Sequence, residues 1–430
     1  MKIDKIIDKI EGEAELSLNF NENNIVDDAI ISFGYTRGIE DILVNRAPMD
    51  SLVITPRVCG ICNHAHLQGA IRALEDGYRD AGVELNLTTK ARAIRDFTLN
   101  CELIQNHIKW FYLTIEPILN RLLNRSNRDS NTLKALYMAQ ITNKASAIFA
   151  GQWPHSSYCV VGGVTCDPTY LEILQANRYI DEVIKFYESV VIEVTLDDFL
   201  SFNRFEELLK IKGDLGETLY RLGKSGYAKV GKSKDRFIAF ANLNSFKSGK
   251  SLGTAYSKVD IKHVRELLQS NSASKAVTYK CKFYETGPLA RAIINKEPLI
   301  MSVRKRYRDS IFSRILARVR EIGYLLSRQK ELLNTINPSE ESCLNLNLKV
   351  DNFRGVGVIE AARGSLIHKI EVNSNKIKSY NIITPTQWNL SNSIDSEKGV
   401  AIEAIIGSKS QTEAELIFKS FDVCSVCTTK

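Results

Sequence analysis

The start of the chain alternates apolar and polar residues. Within residues 3–35, the segments AELSLNF and AIISFGY carry an apolar side chain at nearly every second position, the pattern of strands with one buried face. The polar stretch NENN separates the two segments. We therefore predict two strands of a half-buried hairpin in an N-terminal β region of about residues 1–35.

Helical periodicity follows. The segments AHLQGAIRALEDGY and TTKARAIRDFTLNCELIQNHIKWFYLTIEPILNRLL repeat apolar residues at helical spacing, and the second places Leu99, Leu103, His107 and Phe111 at four-residue steps. These segments predict the core of a bundle of long helices. With the β region, they give a mainly α fold with peripheral β structure, in the α+β class.

Two later segments complete this picture. Residues 209–260 are rich in Lys, Gly and Ser with short alternating runs, which favours a peripheral β-hairpin or loop excursion. A further helix is predicted from about Val303 to Leu333. Its arginines are expected on a face that meets solvent or a partner, and they include Arg304, Arg306, Arg308, Arg314 and Arg318.

Composition excludes several classes of protein. The chain has 430 residues, of which 44% are hydrophobic and 25% charged, as in ordinary globular proteins. The formal charge of +7 is spread along the chain, which does not favour a nucleic-acid partner. Runs of about 18 apolar residues are absent from the sequence, so a membrane is expected to be met only through partners. The charged segment MKIDKIIDKIEGE is not typical of a signal peptide, which predicts a cytoplasmic or partner-anchored location.

Four of the nine cysteines form two Cys-x-x-Cys pairs at opposite ends of the chain, Cys59 with Cys62 and Cys424 with Cys427. Four soft thiolates are the donor set of a tetrahedral or larger metal site. A structural zinc site is one interpretation. However, zinc ribbons close loops of about 15–20 residues, whereas 424 − 62 = 362 positions separate these pairs. A shared metal would join both ends of the chain in one domain spanning residues 1–430.

The sequence around each pair resembles a known family. The pattern Arg-x-Cys-Gly-x-Cys-x-x-x-His, ending at His66, resembles the N-terminal signature of nickel–iron hydrogenase large subunits, and the pattern that begins at Asp422 resembles their C-terminal signature. The resemblance implies a nickel ion bound by all four cysteines, with an iron that carries carbon monoxide and cyanide. Cys62 and Cys427 would bridge the two metals. It also implies reversible cleavage of dihydrogen, an iron–sulfur small subunit as partner, and maturation chaperones.

Further motifs imply further roles. Glu11 lies in a segment similar to the family's Ile-Glu-Gly motif, whose glutamate moves protons away from a cysteine such as Cys424. Arg363 lies in a segment similar to Glu-Ala-Pro-Arg-Gly, and would lie over the open metal position as a catalytic residue beside Asp422. Thr386, in TPTQWN, would donate to a cyanide, and His66 would hydrogen-bond a bridging sulfur.

Two departures from the family pattern matter. Asn106 stands where the family usually has an aspartate. The C-terminal residue is Lys430, where relatives carry His or Arg. The resemblance implies a magnesium ion bound by Glu40 and Ile382. The ammonium of Lys430 has no lone pair with which to bind such an ion. Pairing of Lys430 with Glu40 is therefore the alternative to magnesium.

Two functional alternatives stay open at this stage. A hydrogen-sensing hydrogenase subunit would use the same scaffold for signalling. A metal-free quinone-reductase-type relative would use the fold around a quinone cavity, but such relatives lack the cysteines. Retention of all four cysteines favours the hydrogenase.

Overall fold

The computed structural model describes residues 2–8, 14–34, 36–124, 131–240 and 259–424. The predicted site residues Glu11, Cys427 and Lys430 lie outside these ranges. The strands are β1 (Lys2–Asp8), β2 (Ala14–Phe20), β3 (Val26–Phe33), β4 (Cys159–Val160), β5 (Gly163–Val164), β6 (Val264–Gln269), β7 (Ser272–Tyr279), β8 (Phe353–Ala361), β9 (Gly364–Asn373) and β10 (Lys376–Ile383).

The N-terminal β region is an antiparallel sheet in the order β1-β2-β3. Strands β2 and β3 correspond to the predicted hairpin, and β2 alternates buried and half-buried side chains along its whole length. The prediction of only two strands was wrong, because β1 pairs with β2 from Lys2 to Asp8. The sequence of β1, KIDKIID, has charged residues at four of its seven positions and gives a weaker alternation.

Helices make up most of the remaining described chain. They are α1 (Ile39–Leu43), α2 (Ser51–Ile54), α3 (Asn63–Asp80), α4 (Thr89–Trp110), α5 (Glu116–Leu122), α6 (Thr132–Ala150), α7 (Tyr170–Phe186), α8 (Leu196–Ser201), α9 (Asp214–Ser225), α10 (Pro288–Ile294), α11 (Pro298–Tyr307), α12 (Ile311–Thr335), α13 (Pro385–Asn389), α14 (Val400–Ile405) and α15 (Gln411–Ser420). The α+β class is therefore confirmed. Helix α4 packs against α6 and α12, and α7 packs against both of these.

Helix α3 lies against a second antiparallel sheet, in which β9 is the central strand between β8 and β10. Two glycines of β8 allow this close approach. A Cβ atom at Gly355 would lie 1.9 Å from the carbonyl oxygen of Ala73, and one at Gly357 would lie 2.0 Å from that of Gly69. Gly355 and Gly357 of the segment RGVGV therefore allow helix α3 to pack closely against strand β8.

Two predictions on the chain after residue 208 were wrong in part. Of the excursion predicted over 209–260, residues 214–225 instead form the helix α9, whose Leu215 and Leu222 are fully buried, and residues 241–258 lie outside the described ranges. The hairpin comes later, as β6 and β7. The predicted helix over 303–333 is two helices. Arg308 has a positive φ of 54° and separates α11 from α12.

The arginines of this region were also assigned to the wrong environment in part. Arg314 and Arg318 are buried, because carboxylates from distant segments neutralise them: Arg314 pairs with Glu285, and Arg318 pairs with Asp422. Arg306 and Arg308 are exposed, as expected.

One large apolar core runs through the described residues and includes side chains from β2 at one end of the chain and Cys424 at the other. Among the described helices, none is both long and apolar enough to cross a lipid bilayer.

Candidate metal centre

Three cysteine sulfurs from the two ends of the chain meet in the core. The Sγ atoms of Cys59 and Cys424 lie 3.6 Å apart across 365 positions of sequence. The Sγ atoms of Cys59, Cys62 and Cys424 all lie within 4.8 Å of one another, and the three residues are buried. The structure thus brings together three of the four predicted ligands.

The local backbone explains how these cysteines are presented. Cys59 follows a 3₁₀ turn, Thr55–Val58, and has an extended conformation, whereas Cys62 is the N-cap residue of α3. Cys424 follows the end of α15, after Asp422 with a positive φ of 60°. Arg37 fixes the first loop from outside, because its Nη1 donates to the carbonyl oxygens of Arg57 at 2.8 Å and Val58 at 2.9 Å.

The sulfur geometry fits a thiolate-bound metal. Two sulfurs on one tetrahedral ion at about 2.3 Å lie about 3.8 Å apart, close to the observed 3.6 Å between Cys59 and Cys424. The described cysteines form no disulfide, including the close pair Cys59 and Cys424. Buried thiolates also need a compensating positive charge, and Arg363 supplies one from nearby.

Arg363 lies at the turn between β8 and β9, where Ala361 pairs with Gly364. Its Nε donates to the carbonyl oxygen of Asp422 at 3.0 Å, and its Nη2 lies 3.1 Å from the Asp422 carboxylate. Burial alone would lower the pKa of Arg363, but Asp422 and the three cysteines hold it well above the usual value. Its buried Nη1 has no hydrogen-bond partner among the described residues, so a donor remains for a ligand at the centre.

Asp422 connects this arginine to a second one. Its Oδ2 accepts from Nη1 of Arg318 at 2.5 Å, and the guanidinium of Arg318 lies over the ring of Trp110 at 4.5 Å. The two arginines flank one carboxylate that is only 7% exposed. Since Asp422 holds both guanidinium groups, it fixes the position of Arg363 beside the sulfurs.

His66 lies one turn into α3, and its backbone N–H donates to the carbonyl oxygen of Cys62 at 3.2 Å. Its Nδ1 is 3.2 Å from Nε2 of His368, whose Nδ1 is 2.8 Å from the hydroxyl of Tyr380. Burial lowers the pKa of His66 to about 4 although the charge of Cys424 raises it, so the imidazole is neutral at pH 7. If the Tyr380 hydroxyl donates to Nδ1 of His368, then Nε2 of His368 carries the proton that is donated to Nδ1 of His66. The single ring proton of His66 then lies on Nε2.

The N-terminus of α3 is held by Glu102 from α4. The Glu102 carboxylate accepts from the backbone N–H groups of His64 at 2.7 Å and Ala65 at 3.1 Å. Burial raises the pKa of Glu102 to about 8, against the lowering effects of these two bonds and of Arg363. Asn106, one turn further along α4, donates to the carbonyl oxygen of Ile61 at 2.7 Å. An amide suits this position because it can donate, which an ionised carboxylate cannot.

Thr386 lies in α13, and its Oγ1 donates to the carbonyl oxygen of Cys424 at 3.2 Å. The predicted site residues Cys59, Cys62, His66, Arg363, Thr386, Asp422 and Cys424 therefore occupy one region. Sequence reasoning missed Glu102, Arg318 and His368. The sequence offered a signal for Glu102. It is an acidic residue between Leu99 and Leu103, in a helix whose periodicity predicts a buried face.

The predicted magnesium site is different. Glu40 Oε1 accepts from the backbone N–H of Ile382 at 2.7 Å, while its Oε2 lies 3.6 Å from the ammonium of Lys275. Lys275 also lies 3.2 Å from Glu266. The ammonium of Lys275 already lies between the two carboxylates, so these residues do not fit the magnesium ion expected at Glu40 and Ile382.

Comparison with known proteins gives a consistent result. The sequence model for the family described as nickel-dependent hydrogenase matches residues 37–115, 129–272 and 250–430. The large subunit of the periplasmic [NiFeSe] hydrogenase of Desulfomicrobium baculatum is 26% identical, over 93% of this chain and 88% of the relative. Sulfhydrogenase 1 subunit alpha of Pyrococcus furiosus is 21% identical, over 98% of this chain and 96% of the relative.

Solved structures share the fold. The reduced Ni-Fe-Se hydrogenase from D. vulgaris Hildenborough superimposes with a TM-score of 0.84 at 22% identity, and the alignment covers 100% of both chains. The reduced, active Ni-Fe-Se hydrogenase from Desulfomicrobium baculatum superimposes with a TM-score of 0.80 at 24% identity, again over 100% of both chains.

Proposed function

Because this chain belongs to the nickel-dependent hydrogenase family, we propose that it is the catalytic large subunit of a nickel–iron hydrogenase, which cleaves and forms dihydrogen reversibly. The observation that carries this proposal is the meeting of three buried sulfurs from both ends of the chain beside Arg363. A structural zinc site would not require a buried guanidinium with an unpartnered donor beside it. Quinone-reductase-type relatives would not require the cysteines.

Cys59, Cys62, Cys424 and Cys427 would hold nickel, with Cys62 and Cys427 shared with an iron that carries carbon monoxide and cyanide. When bound, this centre supplies a Lewis acid that makes dihydrogen acidic enough to lose a proton. The protein provides the base and the dry surroundings. Cys59 and Cys424 are fully buried, so a proton released here is not passed to bulk water directly.

The residues around the centre have separate roles in proton transfer and in holding its ligands. The Sγ atom of Cys424 accepts the proton, and the carboxylate of Glu11 passes it on. Arg363 keeps its charge at all physiological pH values and donates through Nη1, while Asp422 holds its guanidinium plane in place. Arg363 would be the donor for one cyanide nitrogen, and Thr386 would donate to a second by turning its hydroxyl away from the carbonyl oxygen of Cys424, to which it donates in this structure. His66 donates from Nε2 to a cysteine sulfur and keeps that thiolate in position.

Electrons must leave through another protein. The described cysteines outside the centre are Cys101, Cys159, Cys166, Cys281 and Cys343, which lack the spacing of an iron–sulfur cluster. An iron–sulfur small subunit is therefore the partner, and maturation chaperones insert the metals. Any association with a membrane would be indirect, through partners.

The test is infrared spectroscopy of the purified complex combined with elemental analysis. Bands of iron-bound carbon monoxide and cyanide, with about one nickel and one iron per large subunit, are expected, together with hydrogen-dependent reduction of a dye. Zinc in place of nickel, without such bands, would contradict the proposal. Bands with very slow dye reduction would identify the hydrogen-sensing alternative.

A further inference from the structure

Four side chains near the predicted magnesium position form a compact ionic cluster, which we call the Lys275 cluster: Glu40, Glu266, Lys275 and Asn381. We propose that the ammonium of Lys275 takes the place of a divalent cation in this cluster, so that the protein binds no magnesium there.

Each carboxylate oxygen of the cluster has a defined partner. Lys275 Nζ lies 3.2 Å from Glu266 Oε1 and 3.6 Å from Glu40 Oε2. The amide of Asn381 donates to Glu266 Oε2 at 2.8 Å and to Glu40 Oε1 at 3.3 Å. The backbone N–H of Ile382 donates to Glu40 Oε1 at 2.7 Å. The two acids are thus linked twice, once through the ammonium and once through the amide.

Strand pairing places the ammonium between the acids. Glu266 in β6 is opposite Val277 in β7, so Lys275, two residues before Val277, is its diagonal neighbour on the same face of the hairpin. Glu40 approaches from α1, which packs against β10, the strand that carries Asn381 and Ile382. Four separate segments, α1, β6, β7 and β10, therefore meet in the cluster.

The cluster is largely withdrawn from water. The side chains of Lys275 and Glu266 are each 18% exposed, and that of Glu40 is 10% exposed. Burial lowers the pKa of Lys275, but Glu266 and Glu40 raise it overall, so the ammonium stays charged. Lys369 in β9, the strand next to β10, lies close enough to feel these charges: burial lowers its pKa, Arg265 and Lys275 lower it further, and Glu266 raises it.

An ammonium and a divalent ion exclude each other here. Magnesium requires near-octahedral oxygen ligands at about 2.0–2.1 Å, and it would have to displace a tethered cation that already satisfies two carboxylates. Lys275 pairs directly with both acids, and Lys369 and Arg265 bring two further positive charges to the same region. A divalent ion placed beside these cations would be repelled.

The cluster joins both halves of the metal centre. Glu40 lies three residues after Arg37, which holds the backbone before Cys59, and Asn381 lies five residues before Thr386, which holds Cys424. A covalently tethered ammonium keeps these segments together without a dissociable ion. The arrangement of the centre should therefore not depend on the magnesium concentration.

The experiment uses the purified protein in its native assembly, the variant Lys275→Gln and the matched control Lys378→Gln. Lys378 lies in β10 and pairs with Glu371 at the surface, 3.0 Å away, so its removal changes the charge equally outside the cluster. Magnesium content is measured after gel filtration in magnesium-containing buffer. The melting temperature is measured with and without magnesium chloride, and neither readout depends on hydrogenase activity.

The parent and Lys378→Gln are expected to retain no magnesium and to melt at the same temperature with or without it. Lys275→Gln leaves Glu40 and Glu266 without their ammonium partner and should retain about one magnesium ion per chain, with a higher melting temperature when magnesium is present. One magnesium ion in the parent would overturn the proposal, and so would a Lys275→Gln protein that ignores magnesium. If Lys275→Gln fails to fold, the parent's magnesium content decides alone.

Discussion

The sulfur atoms of Cys59 and Cys424 lie 3.6 Å apart, although 365 positions of sequence separate the two residues. Neither residue can hold a metal in this way unless the whole chain between them is folded. Metal insertion and folding of the core are therefore linked, because groups that bind only the native state stabilise it.

Replacement of Cys424 by serine should abolish assembly of the bimetallic centre. A hydroxyl stays protonated and is a hard donor where a soft thiolate is required. The measurement is nickel and iron content of the purified variant, which should fall to background. Cys281→Ser is the matched control, since Cys281 is an exposed cysteine outside the centre, and its metal content should equal the parent's. Normal nickel in Cys424→Ser would remove this residue from the ligand set.

Arg363→Lys should keep both metals and lose most activity. Lysine retains the charge but cannot contact Asp422 and a ligand at the centre through separate guanidinium nitrogens. Loss of one positioned donor typically costs about 10²–10³ in rate. The measurement is hydrogen-dependent dye reduction at matched metal content. Arg354→Lys, at an exposed position on β8, the strand that leads into the turn with Arg363, should retain the parent's rate. Equal rates for the two variants would show that Arg363 does not act at the site.

Gly69→Ala should destabilise the protein through the histidine pair. A Cβ atom at Gly69 would lie 2.7 Å from Cδ2 of His368, so the imidazole would have to move away from α3. Such overpacking costs about 1–3 kcal/mol of unfolding free energy, and movement of His368 would also disturb His66. We expect a lower melting temperature.

Gly223→Ala is the control for that substitution. Gly223 lies in α9, and a Cβ atom there would meet no other atom within 4 Å. Alanine is favoured over glycine in a helix by about 1 kcal/mol, so this variant should melt at or above the parent's temperature. An unchanged melting temperature in Gly69→Ala would mean that His368 can shift at no cost.

The motifs at the metal centre could be predicted because the residues that carry their chemistry lie in short continuous segments. Cys-x-x-Cys, the Arg-Gly turn at Arg363 and the threonine of TPTQWN each carry their own pattern. Contacts between residues that are distant in the sequence have no such pattern. The pairing of Lys275 with Glu40 joins residues 235 positions apart, since 275 − 40 = 235, and each residue by itself resembles an ordinary surface charge.

The arginines of α12 illustrate the same limit. Arg314 and Arg318 fit the polar side of an amphipathic helix, but Glu285 and Asp422 come from other segments and allow both to be buried. Similarly, periodicity continues across the break between α11 and α12, because the positive φ of Arg308 leaves no mark in the hydrophobic pattern. Periodicity indicates helices well, but it does not identify buried ion pairs or single-residue breaks.

Glu11→Gln tests the predicted exit for the proton. Glutamine keeps nearly the same shape and can still hydrogen-bond, yet it cannot relay a proton near neutral pH. Conversion of para- to ortho-dihydrogen needs only reversible cleavage at the metals, so it should persist. Exchange with solvent deuterium and net oxidation of dihydrogen should fall together, by about 10²–10⁴ for one positioned proton-transfer group. Glu22→Gln, at an exposed turn between β2 and β3, should leave all three rates unchanged. If Glu11→Gln exchanges with solvent as fast as Glu22→Gln, the proton leaves by a route that does not include Glu11.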